Sequence, residues 1–164
     1  MKEHLQAVHH VSLSVPDIDL ARKFYIDLLG AKEISTAEWE PGNGWIDAIV
    51  GLDRSSAKSF MARLKNINIE VFEYLNPKSP PVDANRPVNV NGYTHIGLQV
   101  DDIQAVYEKM VEAGLTFHTP PDLSTISLDE NGKKVGYAAT YGRDYFGNIF
   151  EIMEIHENDN VEPI

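Results

Sequence analysis

The chain has no cysteine among its 164 residues, which removes disulfides, thiolate nucleophiles, iron–sulfur clusters and sulfur-ligated zinc together. Any metal it holds is therefore bound by nitrogen and oxygen. Positive charge is also scarce, since 14 Lys and Arg stand against 25 Asp and Glu for a formal net charge of -11. No basic cluster offsets that charge locally. It repels phosphate backbones and anionic membrane surfaces, so no nucleic-acid or membrane partner is expected and a small-molecule substrate is. No apolar run approaches the roughly 20 residues of a membrane span, and Met1-Lys-Glu-His-Leu-Gln has no stretch of signal-peptide length, so a cytoplasmic protein is expected. The hydrophobic content, 43%, is enough to bury an ordinary core in one globular domain or two fused half-domains.

What the chain does have is an internal repeat. His10-Val-Ser-Leu-Ser-Val-Pro-Asp-Ile18 returns 85 residues later as His95-Ile-Gly-Leu-Gln-Val-Asp-Asp-Ile103. The closing segments also match: Ile69-Glu70-Val-Phe-Glu73-Tyr74 in the first half and Phe150-Glu151-Ile-Met-Glu154-Ile155 in the second. Each half thus holds a His and a Glu, 60 residues apart in one copy and 56 in the other. Two His-to-Glu units point to a paired metal site.

Val8 to Val15 alternates as a half-buried strand does, with Val11, Leu13 and Val15 on one face and His10, Ser12 and Ser14 on the other. Asp17 is the expected cap of a helix whose stripe is Ala21, Phe24, Tyr25 and Leu28, and Gly30 stops it. A short strand at Ala31 to Ile34, a turn-rich break at Glu40 to Gly44, and strands near Lys58 to Leu64 and Ile67 to Tyr74 complete a βαβββ order. Four prolines between Asn76 and Pro87 mark an extended linker. The second half repeats the order: a strand Thr94 to Val100, a cap at Asp102, a helix Ile103 to Ala113 with Val106, Met110 and Ala113 inward, a stop at Gly114, and strands near Thr116, Tyr137 and Ile149. Pro120 to Gly136 reads either as a lid or as a solvated hairpin tip turning at Asn131-Gly132. The predicted organisation is a module at 6–75, a linker at 76–90, a second module at 91–156 and a loose acidic tail at 157–164.

Glu70 and Glu73 are three residues apart and so point to opposite faces of their strand, as do Glu151 and Glu154. Periodicity leaves open which carboxylate of each pair joins the histidines. It does put His10 and His95 on the face away from the helices. Buried carboxylates are costly unless paired or metal-bound, so a His–Glu pair occurring twice in register is hard to ascribe to packing alone. His9, next to His10, is expected on the helix side.

These motifs, together with Ala21-Arg-Lys-Phe-Tyr-Ile-Asp-Leu-Leu-Gly30 and Gly142-Arg-Asp-Tyr-Phe-Gly-Asn-Ile-Phe-Glu151, resemble those of the vicinal oxygen chelate superfamily over about residues 6 to 156. That superfamily includes glyoxalase I, methylmalonyl-CoA epimerase, extradiol dioxygenases and fosfomycin and bleomycin resistance proteins. The resemblance implies an α+β fold, two tandem βαβββ modules forming a cup-shaped mixed sheet with helices outside, and a homodimer. It also implies the metal ligands His10, Glu70, His95 and Glu151, with Glu70 or Glu151 as the catalytic base. The turn before the last strand departs from the family's usual Asp-Pro-x-Gly by reading Asp144-Tyr-Phe-Gly147. The serines of the first strand and the acidic chain also differ from the basic side chains that glutathione-dependent members present.

Two imidazoles and two carboxylates suit one divalent ion, Ni, Co, Mn, Fe(II) or Zn, and in octahedral geometry leave two adjacent positions for substrate oxygens. The reading that follows is an isomerase, epimerase or lyase acting on a small carbonyl substrate through a metal-stabilised enolate. An Fe(II)-dependent extradiol dioxygenase is the alternative, with His10, His95 and Glu151 as a facial triad. A metal-free drug-binding resistance protein is a third reading. Trp39, Trp45, Tyr137, Tyr141 and Arg143 are candidates for substrate contact, because aromatic walls with a few polar groups line small-molecule pockets.

Overall fold

The computed structural model describes residues 4–164, which divide into two compact units at Pro81/Val82. In the first unit, β1 (His10–Ser14) leads to α1 (Ile18–Arg22), then β2 (Lys32–Trp39), α2 (Gly44–Val50), β3 (Ser56–Leu64) and β4 (Ile67–Asn76). The strands lie in the order β1-β4-β3-β2, with β1 parallel to β4 and the other pairs antiparallel. Asp17 caps α1 by accepting from the N–H groups of Asp19 and Leu20. Beyond Arg22 the helix widens into π-type turns over Lys23–Leu28, and the neighbours Phe24 and Tyr25 are both buried. Ile18, Ala21, Phe24 and Tyr25 form one side of this unit's core and Phe60, Ala62, Ile69 and Val71 of the sheet form the other. Truncating a fully buried ring such as Phe60 to Ala costs about 3–5 kcal/mol in such a setting.

The second unit has the same plan. It runs β5 (His95–Val100), α3 (Ile103–Glu112), β6 (Thr116–Phe117), β7 (Ile126–Leu128), β8 (Lys134–Arg143) and β9 (Ile149–Ile155). The order β5-β9-β8-β6 reproduces that of the first sheet, again with the opening strand parallel to the closing one, while β7 pairs separately with β8. Asp102 caps α3 through the N–H of Ala105. Ile103 and Met110 are its buried residues. No helix among the described residues is long and apolar enough to cross a membrane.

Several sequence expectations are revised. β2 runs to Trp39 rather than stopping at Ile34, and nearly all of it is exposed. Its backbone pairing with β3 holds it, so its sequence carries no alternation. The stretch after the expected break at Glu40 to Gly44 forms α2, closed by the Asn43 side chain at its start and by Gly51 in the left-handed region at its end. No residue of α2 is buried, so it presents no core-facing stripe to read. Pro120 to Gly136 forms a hairpin arm on β8, and Asp129 closes its tip by accepting from the N–H groups of Asn131 and Lys133. The tail, expected to be loose, is tied back: Glu157 bridges to Val135, Asn158 accepts from the Val161 N–H, and the Ile164 N–H donates to Gln99.

The end of the proline-rich stretch is also anchored. Arg143 donates to the carbonyls of Ala84, Arg86 and Gly147. Gly147 has φ +85, and a Cβ there would collide with the Ala84 backbone. Glycine is thus required at this turn for both conformation and close approach.

Candidate functional site

Directly paired residues of neighbouring strands share a face, and successive residues alternate between faces. The register of the first unit therefore puts His10, Ser12 and Ser14 with Asn68, Glu70, Phe72 and Tyr74, and extends that row to Ser59, Met61 and Trp39. This is the face opposite α1. On it, Nε2 of His10 lies 3.2 Å from Oε2 of Glu70.

The second unit repeats the arrangement. His95, Gly97 and Gln99 share a face with Glu151, Met153, Tyr137, Ala139 and Tyr141. Nε2 of His95 lies 3.3 Å from Oε2 of Glu151. The site residues named from the sequence thus come together pairwise, His10 with Glu70 and His95 with Glu151. Each pair offers one nitrogen and one oxygen donor, partly buried but open to solvent. Among the described residues, no group of three or more His, Cys, Asp or Glu gathers as a ready-made metal cluster.

The other ring nitrogen of each histidine is also held. Nδ1 of His95 is 2.9 Å from Oγ1 of Thr94, and Nδ1 of His10 is 2.8 Å from Nδ1 of His9. His9, expected on the helix side, instead bonds the candidate ligand. With Nδ1 engaged, the nitrogen left over is the one facing the glutamate, which is how a metal-binding imidazole is commonly oriented. The donor set and its orientation fit a divalent ion of borderline character.

Alternation separates the glutamates of each closing strand by task. Glu73 accepts from the N–H of Ile18 at 3.3 Å, and Glu154 from the N–H of Ile103 at 3.0 Å. Both are carboxylates at helix N-termini, where unpaired N–H groups and the helix dipole favour negative charge. Glu154 also receives Lys134 and His156, each at 2.8 Å. Burial pushes its carboxyl up, but the bonds from Lys134, Ile103 and His156 outweigh that and hold it down to about 2.

The other candidates separate as well. Trp39 is half-buried, and its Nε1 donates to Ser55 Oγ at 3.0 Å. Ser55 in turn gives both its N–H and its hydroxyl to Asp47, at 2.8 and 2.6 Å. Trp45 projects from α2 and is 74% exposed. Tyr141 lies against His95, with ring centroids 4.8 Å apart. The guanidinium of Arg143, a candidate for substrate contact, is taken up by backbone carbonyls. Burial pushes the Asp144 carboxyl up from the ordinary carboxylate range, and Asp144 accepts from the N–H groups of Phe146 and Asn148 to shape the turn. Phe72 and Tyr74, not named from the sequence, share the Glu70 face, and counting by two from Glu70 would have found them.

Comparison with known proteins agrees with this architecture. The model of the Glyoxalase/Bleomycin resistance protein/Dioxygenase superfamily matches residues 7–152. The chain belongs to that superfamily. A 2-epi-5-epi-valiolone epimerase from Actinomyces sp. is 29% identical over 83% of this glyoxalase-superfamily chain and 75% of its own. An ethylmalonyl-CoA/methylmalonyl-CoA epimerase from Cereibacter sphaeroides is 29% identical over 65% and 70%. Among solved structures, a glyoxalase family protein from Bacillus cereus matches with a TM-score of 0.75 at 21% identity, covering 92% of this chain and 94% of that one. The fosfomycin resistance protein FosX from Listeria monocytogenes, solved with Mn(II) and sulfate, matches with a TM-score of 0.58 at 14% identity, covering 93% and 94%. At these identities the structural likenesses speak for the fold, and the fold is the two-module βαβββ arrangement.

Proposed function

We propose that this superfamily member is a divalent-metal-dependent isomerase, epimerase or lyase that moves a proton on a small carbonyl substrate, acting as a homodimer in the cytoplasm. The observation that carries this reading is the repeated pair: His10 Nε2 at 3.2 Å from Glu70 and His95 Nε2 at 3.3 Å from Glu151, each with its other ring nitrogen held. The two epimerase relatives support the reaction class, and the Mn(II) of FosX supports the class of ion.

In this reading His10, Glu70, His95 and Glu151 form the ligand set for one ion, Ni, Co, Mn, Fe(II) or Zn. The metal, when bound, supplies Lewis-acid polarisation of a substrate carbonyl and so acidifies the adjacent C–H. His10 and His95 are oriented through their Nδ1 contacts. Glu70 or Glu151 takes the proton from the acidified carbon and returns it, work that needs a carboxylate within hydrogen-bond reach of that carbon. Gly97 lies beside Glu151, where a Cβ would meet Oε2 at 3.7 Å, an ordinary contact.

The test is metal content by mass spectrometry on protein purified without chelator, comparing wild type with Glu70→Gln and Glu151→Gln. About one ion per chain in wild type, lost in both variants, is expected. Solvent-deuterium exchange on carbonyl substrates, followed by NMR, then reads the proton transfer, and light scattering reads the dimer. Iron retained by Glu70→Gln, together with ring cleavage of catechols, would replace this reading with the dioxygenase one.

A further inference from the structure

Beside Glu70 the first sheet carries an aromatic cluster that core packing does not account for. Phe72 and Tyr74 follow Glu70 at alternate positions of β4, and Trp39 lies across from them at the end of β2. The three rings touch: Trp39 to Phe72 with centroids 6.0 Å apart, Trp39 to Tyr74 at 6.2 Å, and Phe72 stacked on Tyr74 at 5.8 Å. All three are only half-buried, while Phe60 and Val71 on the opposite face of the same strands are sealed. The cluster is also braced from behind. Trp39 spends its single donor on Ser55, which is fully buried and doubly bonded to Asp47. With its N–H occupied there, the indole offers the site face an apolar surface.

The uncharged polar groups on these faces are hydroxyls and amides. Ser12 and Ser14 stand exposed beside Glu70 and Phe72, and Gln99, Tyr137 and Tyr141 lie near Glu151 on the other unit's face. Of the cations in these rows, Arg63 bonds Asn68 and Arg143 is held by three carbonyls, while Lys32 stands exposed on the edge strand β2. The phosphates of a coenzyme A thioester or the carboxylates of glutathione would meet a chain of net charge -11 with Lys32, at the sheet edge, as the one Lys or Arg of these rows not bonded to its neighbours in the described residues. A hydroxylated ring needs no counter-charge. It can lay its C–H face on aromatic rings and give its hydroxyls to Ser, Tyr and Gln, the mix that small-molecule sites use.

We propose that Trp39, Phe72 and Tyr74 form the specificity wall of the site, and that its substrate is an uncharged, hydroxyl-bearing ring ketone. The inference rests on the proton-transfer function proposed above and deepens it. A ketone flanked by a hydroxyl has two neighbouring oxygens that a chelating ion would bind, and carries its acidic C–H on the hydroxyl-bearing ring carbon next to the carbonyl. Proton removal there and return to the opposite face inverts the centre with no co-reactant.

The experiment is calorimetric titration of the metal-loaded full-length protein with 2-keto-myo-inositol as the neutral probe, and with methylmalonyl-CoA and S-lactoylglutathione as anionic ones. Saturable binding of the neutral ketone is expected, with the anionic probes at least about tenfold weaker. Trp39→Leu and Tyr74→Phe should each weaken the neutral probe about tenfold, the scale of one lost aromatic or hydroxyl contact, while metal content and the circular dichroism spectrum stay at wild-type levels. Tighter binding of either thioester, no saturable binding of the ketone, or unchanged binding in both variants overturns the inference. Wild-type protein that takes up no metal fails the function proposed above instead, and metal content is read before any probe is added.

Discussion

Oγ1 of Thr94 lies 2.9 Å from Nδ1 of His95, between residues adjacent in the chain at the mouth of β5. The contact leaves Nε2 as the nitrogen that faces Glu151. Partners of this kind are worth about 10–100-fold in metal affinity where they have been removed. Thr94→Val should therefore lower the affinity for Mn(II) or Ni(II) by that order in a competition titration against a chelating dye, and Thr94→Ser should keep it. Equal losses in both would mean that Thr94 serves only local packing.

Glu154 ties β9 to α3, and the sign of its pH dependence follows from its lowered pKa. A carboxyl held at about 2 in the fold, against 4.5 ordinarily, contributes stability that is fully present above the ordinary value and lost as pH falls through about 2. The gap corresponds to about 3 kcal/mol. Glu154→Gln should lose a comparable amount at neutral pH, and its urea midpoint should change less than wild type's between pH 5 and pH 3. Parallel pH curves for the two proteins would refute the assignment.

The turn Asp144–Gly147 holds the segment around Ala84. Because Gly147 has φ +85 and no room for a methyl against that backbone, Gly147→Ala should destabilise by about 1–3 kcal/mol, read as a lower midpoint in thermal unfolding. Arg143→Lys, which cannot span three carbonyls, should move in the same direction. Either variant matching wild type would show that the segment is held by something else.

Trp45 and Trp39 make a paired control. The first is 74% exposed, while the second is bonded to Ser55. Trp45→Ala should change stability by less than about 0.5 kcal/mol, as surface substitutions usually do. Ser55→Ala should cost about 1 kcal/mol or more by removing the hydroxyl that bonds Asp47 and accepts from the indole N–H, and should shift the Trp39 emission. A silent Ser55→Ala would remove the brace from the description of the aromatic cluster.

The doubled βαβββ order, both helix caps at Asp17 and Asp102 and the pairing of each His with a Glu were legible because they repeat in the chain and obey strand and helix periods. Periodicity could not choose between Glu70 and Glu73, since opposite faces are equivalent until a helix covers one of them. The length of β2 and the presence of α2 escaped notice for one physical reason: neither buries an apolar stripe, so backbone pairing and caps hold them without a pattern of side chains. Arg143 was misjudged because its partners are carbonyls, which every residue carries and no sequence displays. Thr94 was passed over, and His9 was placed on the helix side, because neighbours in a strand normally face apart, and at the very start of a strand that rule relaxes.

Each closing strand holds two glutamates three positions apart, one fastening the helix and the other facing the histidine. A slip of one position would turn both around at once, leaving the helix start without its acceptor and driving the other carboxylate into the apolar layer. On the proposed ligand set, correct alignment of β4 and β9 would be recorded twice, once in stability and once in ion uptake, and titrating a preparation with metal would count the molecules whose strands have docked in register.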